Sequence, residues 1–130
     1  MTFTLHTPAN QMDLAACAAA VTHQIWALAR VQVKLGPSFA LRNGEGGAVA
    51  CGGFIFRDEA TCDAWFMAAP EARRHMLQIV RAIRLTGIPA PYGRAIAFIS
   101  TPEGRRIAEM CGYRRIGVRS DGMEIYEWRN

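Results

Sequence analysis

The apolar positions change period several times along the chain, and each change marks an element. Residues 2–6 alternate Phe3 and Leu5 with polar neighbours, which predicts a short strand. Thr7-Pro8-Ala9-Asn10 is a turn signal, and Asn10 suits a helix cap. An alanine-rich helix is expected from Gln11 to about Val21. A second one, over residues 22–33, sets Ile25, Leu28 and Ala29 at helical spacing and stops at Gly36-Pro37. Residues 38–42, 48–56 and 61–68 then read as strands. The polar links at 43–47 and 57–59 are short, so these strands form an antiparallel meander.

The helical period returns with Met76, Ile79, Val80 and Ile83, while Arg74, Gln78 and Arg81 fall on the opposite face. Gly87 is placed as a helix stop. After the loop at 89–93, residues 95–100 form an apolar strand. A strand, a helix of about sixteen residues and a second buried strand predict a parallel crossover. Thr101, Pro102 and Glu103 suit the cap, first position and first turn of another helix. That helix runs to Cys111 with Gly112 as its stop, and residues 113–118 and 123–128 make a final hairpin. The expectation is one α/β (α+β) domain over residues 1–130. It would have a mixed central sheet of about six or seven strands flanked by about four helices.

Composition narrows the class without naming a function. Half the residues are hydrophobic (51%), enough for a real core, and the 20% that are charged exclude disorder by composition. The net charge of +4 favours anionic ligands and does not by itself imply nucleic acid. Cys17, Cys51, Cys62 and Cys111 show no C-x-x-C spacing, so buried free thiols in a reducing cytoplasm are expected. His6, His23 and His75 are too scattered for a metal site, and no metal is expected. The apolar stretch 14–35 carries too many polar residues to span a membrane. The N-terminus has no signal-peptide charge pattern.

The element order, together with Cys111-Gly112-Tyr113 running into Ile116-Gly117, resembles the GNAT N-acetyltransferase superfamily. The resemblance spans nearly the whole chain in element order, and its motifs cover residues 66–88 and 101–118. It implies transfer of an acetyl or other acyl group from acetyl-CoA or another acyl-CoA to an amine. It also implies a cofactor cleft where the fourth and fifth strands splay apart. Backbone of Trp65, Phe66, Met67 and Ala68 would pair with the pantetheine amides. Arg73, Arg74 and His75 would meet the pyrophosphate at a helix start. Glu59 and Asp63, at the start of the fourth strand, are where the family often places a general base.

Two features depart from the family pattern. The glycines of its phosphate loop are replaced by Arg74, Met76 and Gln78, whose side chains obstruct backbone approach to a phosphate. The tyrosine that protonates the departing thiolate in many members corresponds to Ala108, which carries no proton. The alternative is therefore a catalytically inactive relative, similar to phage or prophage GNAT-like proteins, acting through a protein partner or in a virion. A nucleic-acid module using Arg73, Arg74, Arg81 and Arg84 ranks last, because the patch lacks interleaved aromatics.

Overall fold

Seven strands form one mixed sheet in the order β1-β2-β3-β4-β5-β7-β6. The computed structural model describes residues 3–18, 22–86 and 92–130. The elements in chain order are β1 (Thr4–His6), α1 (Gln11–Cys17), α2 (His23–Lys34), β2 (Ser38–Arg42), β3 (Ala48–Phe56) and β4 (Thr61–Ala68). A 3-10 helix (Pro70–His75) leads into α3 (Met76–Thr86). Then follow β5 (Arg94–Ile99), α4 (Pro102–Met110), β6 (Arg114–Val118) and β7 (Glu124–Arg129). The expected meander and parallel crossover are both present: β2, β3 and β4 pair antiparallel, and β4 pairs β5 parallel. The stop expected at Gly87 and the loop residues 89–91 lie outside the described residues, as do residues 19–21 of the first expected helix.

Local chemistry sets the helix ends. Asn10 Oδ1 accepts from the Asp13 amide at 2.9 Å, and Asp13 Oδ2 accepts from the Asn10 amide at 2.8 Å. This reciprocal cap fixes the start of α1. Asp13 also receives two hydrogen bonds from the Arg42 guanidinium, at 2.9 and 2.8 Å, so the cap is tied to β2. α1 is shorter than expected: Ala18 already has extended backbone, with ψ 143. Alanine favours helix but supplies little surface to hold it against the sheet. Thr101 Oγ1 accepts from the Gly104 amide at 3.0 Å, and Gly112 takes φ +90 where α4 ends.

Period-two alternation divides each strand between two helical layers. Ala40, Cys51 and Met67 stand in register and pack with Leu14, Cys17 and Ala29 of α1 and α2. Phe39, Leu41 and Val49 pack on the other face with Ile79 and Ala82 of α3 and Ile107 of α4. Leu28 breaks the expectation of a buried stripe on α2, and the neighbouring Trp26 also faces outwards. Both are exposed, and Ala29 with Val33 forms the inward contact instead. No described helix is long and apolar enough to cross a membrane.

Candidate functional site

β4 and β5 pair through only three residues each: Thr61 with Arg94, Cys62 with Ala95, and Asp63 with Ile96. Beyond Asp63 the strands part. Residues 64–68 keep their partners on β3, and β5 keeps its partners on β7. The Ala69 amide donates to Val49 O at 2.9 Å, which holds the exit of β4 on the β3 side. A cavity of about 820 Å3 fills the gap between the strands and runs under α3 and α4. That lies within the range of about 300–1,000 Å3 usual for small-molecule sites.

The site residues expected from the sequence divide by strand alternation. Trp65, Phe66 and Ala68 line the cavity. Met67 does not; it packs towards α1 and α2. Trp65 is a half-buried cleft residue whose Nε1 is buried without a hydrogen-bond partner. Of the two acids, Asp63 lines the cavity. Arg57 Nε donates to its Oδ2 at 3.3 Å, and Arg57 Nη2 stands 2.9 Å from Oδ1. Glu59 is exposed in the β3–β4 turn and is not part of the lining.

The turn after β4 sends its three basic side chains in different directions. Arg73 lines the cleft mouth and reaches Glu103 of α4, with Nη2 to Oε1 at 3.2 Å. Arg74 is exposed. His75 lies edge-on to Phe3, with ring centroids 4.7 Å apart. The expectation of a continuous helix from Pro70 fails here. Pro70–His75 is a 3-10 helix, and the Ala72 amide is spent on Ala69 O at 2.9 Å. Pro70 has no amide to offer. Of the residues at the family's glycine positions, Met76 occupies the cleft wall.

α4 and the residues that flank it supply further groups to the cleft. Ser100, Thr101, Glu103, Ala108, Cys111 and Tyr113 all line the cavity. Tyr113 packs against Cys62, Ala95 and Tyr126 and also forms part of the cleft wall. Burial raises its phenol above the ordinary value of 10.0, as do the neighbouring Cys62 and Cys111, so it stays protonated at neutral pH. Burial likewise raises the Cys111 thiol, and pushes Cys62 up to about 11. Neither thiol is an available thiolate nucleophile near pH 7. The described residues hold no group of three or more His, Cys, Asp and Glu that could bind a metal.

No family model matches this chain, and no curated protein matches it. Solved structures do. A dodecameric spermidine N-acetyltransferase from Vibrio cholerae superposes with TM-score 0.67 at 11% identity, covering 98% of this chain and 93% of that one. An IAA acetyltransferase from Bacillus cereus superposes with TM-score 0.69 at 11% identity, covering 99% and 100%. At such identities the likeness establishes architecture alone: the chain has the GNAT acetyltransferase fold.

Proposed function

We propose that the protein transfers an acyl group from a pantetheine thioester, of which acyl-CoA is the free form, to an amine. The observation that carries this reading is the early parting of β4 and β5. It leaves one edge of residues 64–68 without a strand partner, facing a cavity of suitable size. Unpaired strand amides and carbonyls are the groups that a pantetheine arm, with its two amides, satisfies as an added strand would.

In the proposed reaction the neutral amine attacks the thioester carbonyl carbon. The C–N bond forms, the C–S bond breaks, and the nitrogen loses one proton while the thiolate gains one. Asp63, on the cleft wall where β4 leaves β5, takes the first proton, directly or through water. Tyr113 supplies the second in place of the absent hydroxyl at Ala108. Direct transfer fits the raised thiols of Cys62 and Cys111, which disfavour an acyl-enzyme. Proximity supplies the larger share of the acceleration.

A second reading, a non-catalytic role through protein contacts, is favoured by Arg74, Met76 and Gln78 in place of glycines. Calorimetry and thermal shift with acetyl-pantetheine and acetyl-CoA separate the two. Millimolar thioester that produces neither heat nor a shift in melting temperature rejects the transferase.

A further inference from the structure

Between Glu71 and Glu103 the sequence has no acidic residue, yet it contains Arg73, Arg74, Arg81, Arg84 and Arg94. Arg42, Arg57, Arg105, Arg115, Arg119 and Arg129 elsewhere have carboxylate partners, and within the segment Arg73 and Arg94 reach Glu103 and Glu127. Among the described residues Arg74 and Arg81 have no such partner, and Arg84 is held only by Met110 O at 2.7 Å.

These charges share a helix face with exposed apolar side chains. Leu77, Arg81 and Leu85 recur at intervals of four on α3 and form one stripe, and Arg74 precedes it in the 3-10 helix. Ile79, Val80 and Ala82 take the buried face of α3. Leu77 is 64% exposed and Leu85 79% exposed, far more than a helix needs for its own packing. The stripe begins beside Arg73, which lines the cleft, so it is continuous with the cleft mouth. Positive charge flanking apolar chains complements an acidic protein surface that carries some apolar area.

The mouth itself is poorly built for a free diphosphate. The Ala72 amide is already bonded, Met76 stands in the wall, and Arg73 is paired with Glu103. A diphosphate would face that carboxylate. A pantetheine arm fixed to a protein avoids the problem, since its affinity comes from the surface that carries it.

The geometry points to an acidic carrier protein that docks on the Arg74–Leu77–Arg81–Leu85 face and delivers the acyl group on its phosphopantetheine arm. This rests on the acyl-transfer reading above. Calorimetry on the full chain with acetyl-pantetheine, acetyl-CoA and an acidic acyl carrier protein loaded with an acetyl thioester tests it. The loaded carrier should bind about ten-fold more tightly than acetyl-CoA and weaken as salt is raised. Arg81→Glu combined with Leu77→Ser should weaken the carrier about ten-fold and leave acetyl-pantetheine unchanged. Acetyl-CoA binding as tightly as the loaded carrier overturns the proposal, as does an unaffected double variant. So does a DNA oligonucleotide that binds this face more tightly than the carrier. Absent acetyl-pantetheine binding, with loaded and unloaded carrier equal in affinity, removes the acyl-transfer reading itself.

Discussion

Arg73 and Glu103 join the turn after β4 to the first turn of α4 across the cleft mouth, Nη2 to Oε1 at 3.2 Å. Both side chains are well exposed, so water and salt screen the pair and it adds little to stability. Its consequence is for ligands: Arg73, the one arginine lining the cleft among the described residues, is neutralised by a carboxylate on the opposite wall.

Glu103→Gln should therefore strengthen acetyl-CoA binding about three-fold and shift the melting temperature by no more than about 1 °C. Titration calorimetry beside a thermal melt reads both. Unchanged or weakened binding would show that Glu103 does not compete for Arg73.

Tyr113→Phe should lower kcat about 100-fold or more, the scale of one lost proton donor, with donor affinity unchanged. Release of free thiol from acetyl-pantetheine in the presence of an amine measures the rate. A wild-type rate would mean that the thiolate leaves unprotonated or takes its proton from water.

The Asp13 carboxyl is raised by burial, but the hydrogen bond from Arg42, the Asn10 contact and the Arg42 and His6 charges outweigh that effect. Its net position is below the ordinary 3.8. A depressed folded value means that Asp13 contributes stability above about pH 3.8. That contribution is lost as pH falls through the folded value. Asp13→Asn should cost about 3 kcal/mol at pH 7, because it leaves the partly buried Arg42 without its partner. The deficit relative to wild type should shrink on acidification below about pH 4. Urea melts across pH 3–7 check both; a deficit independent of pH would be evidence against the ion pair as its source.

Gly36→Ala should destabilise the fold by about 2 kcal/mol or more, lowering the melting temperature by roughly 5–10 °C. A Cβ built on Gly36 would lie 2.0 Å from Phe54 O, and that carbonyl belongs to a sheet strand with little freedom to move. Gly44→Ala is the control, since nothing lies within 4 Å of its position and no stability change is expected. Equal melting temperatures for the two variants would refute the packing argument.

Much of the fold was legible in the residues because its signals are local. β2, β3 and β4 have the boundaries that their apolar runs and polar turns indicate. Asn10, Thr101 and Gly112 act at the helix ends where their side-chain oxygens, or the lack of a side chain, suit them. Local signals mislead where a long-range contact decides. Gly36 reads as a helix stop, but the tightest constraint on it is the Phe54 carbonyl eighteen residues on.

The site was legible in a different proportion. The residue types at 65–76 pointed to a turn that borders the cavity and has no glycines at the family's positions. Tertiary structure decided what each side chain does there. Strand alternation, fixed by which face meets which helices, puts Phe66 on the cleft and Met67 away from it. The parting of β4 from β5 leaves Glu59 outside and Asp63 inside, a distinction with no signal in four residues of sequence. Tyr113 and Glu103 enter the site only because α4 folds back over the open cleft. The sequence thus determined the elements and their caps, which depend on neighbours along the chain. The cleft, its charge pairing and the place of Tyr113 on its wall depend on residues far apart in the chain, and only packing brings those together.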